Sequence, residues 1–304
     1  MTLKIAIIGQ SPFGESVAKR IQEIQDTEIV CIIPPFNNKE DPLYKFSNEQ
    51  KIRTLQFKKL RSKEAIEAFN NINIDLLIMA YVVDIVPIEI INYPQLGTIQ
   101  YHPSLLPKHR GPSSINWSII NGDKETGITI FWPDSGLDTG DILIQKKINI
   151  KENDSTGSLY FNSLYPMGVD AIVESINLII NGDLPKIPQI EKYATYEGWC
   201  KEQEIKWKKN PKDIYNLIRG CDPQPGAWTL YKGEKIYLYD TKLVSNNIQK
   251  ENGTILFINE KEVSVSIGNK KLIIGRIKSK GKKKINAYEW MVNNNIKPFS
   301  KLGE

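Results

Sequence analysis

Only two histidines, His102 and His109, occur in the 304-residue chain. Any chemistry that needs an imidazole is therefore confined to one stretch, Thr98-Ile99-Gln100-Tyr101-His102-Pro103-Ser104-Leu105-Leu106-Pro107-Lys108-His109-Arg110-Gly111. Its apolar start predicts a strand that delivers His102 to a loop stiffened by Pro103 and Pro107. That is how a scaffold fixes a polar group at the carboxyl edge of a sheet. Further on, Gly136-Leu137-Asp138-Thr139-Gly140-Asp141 reads as a second polar loop between two apolar runs. A histidine and an aspartate on loops at one edge orient and polarise each other, which is the basis of acid–base catalysis. A histidine at a strand end also serves as a hydrogen-bonded structural residue, and spacing alone leaves both readings open.

The surrounding pattern supplies elements to position such a pair. Leu3 to Ile8 is a short, continuous apolar run closed by Gly9, as in a buried parallel strand. Pro12 suits the first turn of a helix reaching about Ile24. Strands are predicted over 28–33, 74–80, 97–101, 127–132 and 141–148. Helices are predicted over 62–70, 113–121 and 155–180, and the polar residues 36–50 read as a loop. Strands alternating with helices argue for an α/β fold, a doubly wound, mostly parallel sheet. Beyond Leu184 the texture changes. Pro185 and Pro188 open a linker, a short helix covers 211–219, and five short strands follow, over 229–231, 235–239, 253–258, 263–267 and 271–277. These predict a smaller C-terminal β-barrel of the OB-like type. The expected division is 1–187 for a catalytic domain, 188–207 for a linker and 208–304 for the barrel.

Length agrees with two domains at roughly 150 residues each. With 40 Lys and Arg against 35 Asp and Glu, the net charge is +5, which permits an anionic substrate or RNA without requiring either. Cys31, Cys200 and Cys221 are odd in number and far apart in sequence, so neither a disulfide framework nor a zinc-ligand spacing is expected. The opening apolar run is too short for a membrane span or a signal peptide, and a cytoplasmic location is expected. Gly9-Gln10-Ser11-Pro12-Phe13-Gly14 invites a dinucleotide-binding reading but lacks the G-x-G-x-x-G spacing. The alternative is a turn whose small residues allow close helix–strand packing.

His102-Pro103-Ser104-Leu105-Leu106-Pro107, then Arg110-Gly111 and Gly136-Leu137-Asp138-Thr139-Gly140, together resemble the 10-formyltetrahydrofolate-dependent formyltransferase family, in its hydrolase and methionyl-tRNA branches. Ile8-Gly9-Gln10-Ser11, Ile115-Asn116-Trp117, Phe131-Trp132, Thr195-Tyr196-Glu197-Gly198 and Pro225-Gly226-Ala227-Trp228 extend the resemblance to nearly the whole chain. It weakens over 34–70 and after about residue 240. It implies His102 and Asp138 as catalytic residues, with Gln100 standing where the family has asparagine. Glutamine carries the same amide on a longer arm, so it either meets the developing oxyanion or points elsewhere. The resemblance also implies 10-formyltetrahydrofolate as co-substrate, with no metal. The folate would lie against Tyr81, Val82, Val83, Asp84, Ile85 and Val86, against Ser104, Leu105, Leu106 and Pro107, and against Pro133, Asp134, Ser135 and Gly136. Arg110 and Gly111 would face the acceptor.

Three acceptors follow from the resemblance: methionyl-tRNA, a small-molecule amine such as a nucleotide sugar, or water. A folate-binding regulator with little turnover is the reading from another class. Lys108 and His109 stand beside the site, either to meet an anion or as a solvated face. Eight Lys or Arg residues between Lys270 and Lys284 read either as an RNA-facing stripe on the C-terminal domain or as an edge whose lysines prevent strand pairing.

Overall fold

In the computed structural model, which describes residues 2–245 and 247–304, apolar runs near the N-terminus form the centre of the first sheet. The elements begin with β1 (Leu3–Gly9), α1 (Ser11–Gln22), β2 (Thr27–Ile33), α2 (Pro42–Glu49), α3 (Lys63–Phe69), β3 (Leu76–Ala80), α4 (Ile88–Ile91) and β4 (Thr98–His102). There follow α5 (Ser114–Ile120), β5 (Glu125–Phe131), β6 (Ile142–Asn149), α6 (Thr156–Leu159), a π-helical turn over Tyr160–Leu164 and α7 (Tyr165–Ile180). The remainder runs through β7 (Gln203–Glu204), α8 (Pro211–Gly220), β8 (Ala227–Tyr231), β9 (Glu234–Ser245), β10 (Ile255–Asn259), β11 (Glu262–Ile267), β12 (Lys270–Ser279), β13 (Ile285–Asn286) and α9 (Ala287–Asn293).

These elements form two compact units. One comprises Met1–Gly111, Gly127–Lys147 and Asn162–Tyr196; the other comprises Pro112–Thr126, Ile148–Phe161 and Glu197–Glu304. The chain is thus not cut linearly at 187 and 207. Residues 112–126 and 148–161 belong with the C-terminal unit, and 188–196, expected in a linker, belong with the first.

The first unit's sheet has the order β2-β1-β3-β4-β5-β6. β1 pairs in parallel with β2 and β3, and β3 in parallel with β4. All seven residues of β1 except Lys4 are buried, as are all five of β3, which explains their unbroken apolar runs. Gly9 is required by packing. A Cβ there would come within 2.6 Å of the Ala80 carbonyl oxygen, so the turn-and-packing reading of Gly9-Gln10-Ser11-Pro12 is the one realised. β4 alternates: Tyr101 turns to the helices, stacking on Phe13 with ring centroids 4.4 Å apart. Gln100 and His102 therefore share the opposite face. β5 is antiparallel to β4, with Gln100 opposite Phe131 and His102 opposite Thr129. This corrects the expectation that both candidate loops leave the same edge. The loop after β5 starts level with Gln100, and Asp138 reaches both side chains across the sheet's face.

Residues 36–50 are not all loop. The Asp41 carboxylate accepts from Leu43 N–H at 2.9 Å, capping α2, and from Ser11 N–H at 2.8 Å, anchoring the start of α1. Such a cap contributes about 1 kcal/mol, and Leu43 and Phe46 bury the helix's inner side. The run Thr156–Ile180 is long and apolar enough to cross a membrane by length and composition. Within it, α7 buries Gly168, Val169, Ala171, Ile172, Ser175, Ile176 and Ile179, and its outer side carries Asp170 and Glu174, paired with Arg20 and Lys146.

The second unit's sheet is ordered β10-β11-β12-β9-β8-β7, with β13 on β12. It is antiparallel except for the β7–β8 pair. The five expected strands are present and two short ones join them, with α9 closing the sequence. Its core gathers Ile236, Leu238, Val265, Leu272, Ile274, Trp290 and Met291. Cys200 and Cys221, distant in sequence, face each other as free thiols with sulfurs 3.9 Å apart.

Candidate active site

β4 places Gln100 and His102, and the loop after β5 brings Asp138 to them. His102 and Asp138 are buried, at 6% and 8% exposure. His102 Nδ1 lies 3.6 Å from Asp138 Oδ2, and Nε2 is 2.8 Å from the carbonyl of His109. Gln100 Nε2 approaches Asp138 Oδ1 at 3.5 Å. The N–H of Gly111 donates to Asp138 Oδ2 at 2.8 Å, from a backbone φ of +90° that suits glycine. Three other residues here, Tyr81, His109 and Asp138, are held at φ of +67°, +57° and +55°. Left-handed backbone at non-glycine residues costs of order 1 kcal/mol each and persists where the surroundings fix it.

The loop from Pro103 to Gly111 is sealed by its own contacts. Ser104 Oγ donates to the Lys108 carbonyl at 2.7 Å. Thr129 Oγ1 donates to the Ser104 carbonyl and accepts from Leu106 N–H, while Gln145 Nε2 donates to the Leu106 carbonyl. Ser104 and Leu106 are buried, and the Ser104 hydroxyl and the Leu106 main chain hold the loop. Leu105 and Pro107 are half-buried. His109 is buried, so the solvated-face reading fails for it; Lys108 is exposed.

The expected acceptor contact by the Arg110 side chain is also corrected. Its side chain has no exposed surface, and all five N–H groups have partners. Nε and Nη2 donate to Gln189 Oε1 at 3.1 and 2.9 Å. Nη1 and Nη2 donate to the two Glu191 oxygens at 2.9 and 2.8 Å, and Nη1 also reaches the Tyr196 hydroxyl. Burial acts to lower the guanidinium's pKa, but the bonds to Glu191 and Tyr196 outweigh it and leave it raised. The bond from Arg110 holds the Glu191 carboxyl below its ordinary value. Gln189, Glu191, Thr195 and Tyr196 were hidden in what reads as a linker. The visible signal was Tyr196 within Thr195-Tyr196-Glu197-Gly198.

A cleft of about 180 Å³ opens where β1, β2 and β3 end, lined by residues including Gln10, Phe36, Phe57, Lys58 and Tyr81, Val82, Val83 and Asp84. It has none of Ser104–Pro107 or Pro133–Gly136 in its lining. Tyr81, Val83 and Ile85 are exposed, while Val86 belongs to the core. Asp84 is structural, accepting from Leu60 N–H at 2.8 Å and Ile85 N–H at 2.9 Å. Asp134 closes its own turn, accepting from Gly136 N–H and the Thr139 hydroxyl. Pro133 is half-buried, and Ser135 and Gly136 are exposed.

Comparison with known proteins fits this geometry. The family model described as Formyl transferase matches residues 3–175, and that described as Formyl transferase, C-terminal domain, matches residues 200–295. The chain belongs to the formyl transferase family. Methionyl-tRNA formyltransferase of Acetivibrio thermocellus is 33% identical over 266 residues, covering 86% of this chain and 85% of that protein. The human mitochondrial 10-formyltetrahydrofolate dehydrogenase is 39% identical over 254 residues, 81% of this chain but only 28% of the dehydrogenase. Among solved structures, an N-formyltransferase from Helicobacter canadensis, crystallised with folinic acid and dTDP-3-aminofucose, superposes with a TM-score of 0.71. It is 21% identical over 90% of this chain and 99% of its own. HypX from Aquifex aeolicus, in complex with tetrahydrofolic acid, superposes with a TM-score of 0.69 at 18% identity, over 96% of this chain and 47% of its own. These likenesses extend the formyl transferase fold to both units.

Proposed function

We propose that this formyl transferase moves the formyl group of 10-formyltetrahydrofolate onto an amine. The observation that carries the reading is the convergence of Gln100, His102 and Asp138 on one face of the first sheet, in a chain of this family. The acceptor amine attacks the formyl carbon, and the carbonyl electron pair moves onto oxygen. His102 and the Gln100 amide stabilise that oxyanion. Collapse breaks the bond to folate N10, and the proton lost by the amine is returned to N10 through His102, oriented by Asp138. The products are a formylated amine and tetrahydrofolate. The exposed Tyr81, Val83 and Ile85 and the backbone around Ser135 and Gly136 receive the flat heterocycle, which wants apolar walls and backbone donors.

Methionyl-tRNA as the acceptor is supported by the basic residues of the second unit, whose sheet we read as an OB-like barrel. β12 supplies Arg276 and Lys278 opposite Tyr239 and Tyr237 of β9, and Trp228 of β8 lies opposite Tyr237. Lys284 sits 3.5 Å from the centre of the Tyr239 ring. Tyr237 and Tyr239 are buried, so the support for RNA on this unit is the positive charge of β12 and Lys284, which meets phosphates without stacking. A second reading, hydrolysis of the folate by water, is favoured by the higher identity to the dehydrogenases.

The two readings separate when the protein is given 10-formyltetrahydrofolate alone, with methionyl-tRNA, or with an amino-sugar nucleotide. Amine transfer predicts tetrahydrofolate release that depends on one amine, and a loss of about 10²-fold in Gln100→Leu, as for removal of an oxyanion donor. Formate release that needs no amine and survives Gln100→Leu would establish hydrolysis. Binding without consumption would leave only a regulator.

A further inference from the structure

Gln189 stands in the segment that follows α7, and its side-chain amide bonds to both candidate loops. Its Oε1 accepts twice from Arg110, at 3.1 and 2.9 Å. Its Nε2 donates to the main-chain carbonyls of Asp138 at 2.9 Å and Gly140 at 2.7 Å. Arg110 ends the His102 loop, and the segment around Gln189 is itself fastened to that loop. Thr195 N–H donates to the Pro107 carbonyl at 3.1 Å, Arg110 N–H to the Thr195 carbonyl at 2.9 Å, and His109 N–H to Thr195 Oγ1 at 2.7 Å. The Asp138 carboxylate accepts from Gly111 N–H, and Asp138 itself has a φ of +55°. Gln189 thus holds the Asp138 main chain from outside its own turn.

We propose that Gln189 is a positioning residue for the reaction, fixing the Asp138 loop against the His102 loop through the side chain of Arg110. The proposal rests on the functional reading given above. Gln189 touches no reacting atom; it sets where the Asp138 carboxylate sits relative to the imidazole. Misplacement of a reacting group by about 1 Å costs up to about 10²-fold in rate, so a loosened loop lowers turnover more than it lowers folate affinity.

Two substitutions separate this role from a purely structural one. Gln189→Glu keeps an acceptor for Arg110 but removes both donors to the Asp138 loop, and Gln189→Met removes all four bonds. Positioning predicts that both variants lose about 10-fold or more in kcat for tetrahydrofolate release, with the KM for 10-formyltetrahydrofolate changed by less than about threefold. Binding of 5-formyltetrahydrofolate, a non-reacting probe, stays near wild type. If Gln189 serves only to hold Arg110, Gln189→Glu retains the wild-type kcat while Gln189→Met is merely less heat-stable, and that outcome overturns the proposal. Should one variant fail to fold, the kcat of the other decides on the same criterion. A wild-type protein that does not consume the folate overturns the functional reading as well, and is told apart because the wild type itself is then silent.

Discussion

Arg110 in the first unit and Arg219 in the second are both buried, and both lie over a tyrosine ring, at 5.1 Å over Tyr196 and 5.6 Å over Tyr215. Their partners differ. Arg110 has a carboxylate, Glu191, and its pKa is raised despite burial. Arg219 is met by neutral oxygens: Asn216 Oδ1 at 3.0 and 2.9 Å, and the carbonyls of Asp154 at 2.8 Å and Lys151 at 3.4 Å. Burial lowers its pKa, and the nearby charges do not restore it. A buried cation needs compensation of one kind or the other. In the first unit that compensation is shared with the Asp138 loop through Gln189; in the second it fastens residues 151–154. On the proposed function, Arg110 belongs to the reaction's geometry and Arg219 to stability.

Replacing each arginine by methionine tests that assignment, and Arg110→Met has the larger expected effect. It leaves Gln189 Oε1 without a donor and cuts the guanidinium's bonds to Glu191 and Tyr196, so the Arg110 side chain no longer ties the His102 loop to Gln189. We expect turnover to fall by about 10²-fold, with a loss of roughly 2–3 kcal/mol in stability, followed by tetrahydrofolate release and denaturant unfolding. Arg219→Met leaves Asn216 Oδ1 and the Asp154 carbonyl unmet, at a cost of about 1–3 kcal/mol, with the turnover of folded protein retained. Equal losses of turnover in the two variants would erase the comparison.

Glu191→Gln is the mildest change. The carboxylate is largely exposed, at 71%, so solvent screens the pair, and the melting temperature near pH 7 should hardly move. Its signature lies at acid pH. A carboxyl held below its ordinary value of 4.5 stabilises the fold above that value and loses the contribution as pH falls through its folded pKa. The wild type should therefore lose more stability than Glu191→Gln on acidification below pH 4.5. Parallel pH–stability curves would show that Arg110 draws nothing from the charge.

Much of this arrangement was legible before any coordinates. The buried run of β1 announced a parallel strand, and the apolar start at Thr98-Ile99 announced the strand that delivers His102. Other features were not legible. The antiparallel course of β5 depends on which strand it pairs with, a long-range choice that local pattern does not encode, so the route by which Asp138 reaches His102 was misread. Residues 188–196 have neither helical nor strand periodicity because their bonds run to two distant loops. Helix α2 was missed for a local reason: its stabilising signal is the single cap at Asp41 before Pro42, within a stretch otherwise polar and irregular. Arg110 illustrates the remaining limit, since a guanidinium sealed by Gln189, Glu191 and Tyr196 and one poised for a substrate carry the same letter.

The central claim, that His102 and Asp138 form the reacting pair of a formyl transferase site, is tested most directly by the single-turnover rate of tetrahydrofolate formation from 10-formyltetrahydrofolate. The wild type should be compared with His102→Ala and Asp138→Asn at saturating folate. The geometry predicts a fall of about 10²-fold or more in each variant, with folate affinity changed far less. A near-wild-type rate in either variant would contradict the account and place the chemistry elsewhere.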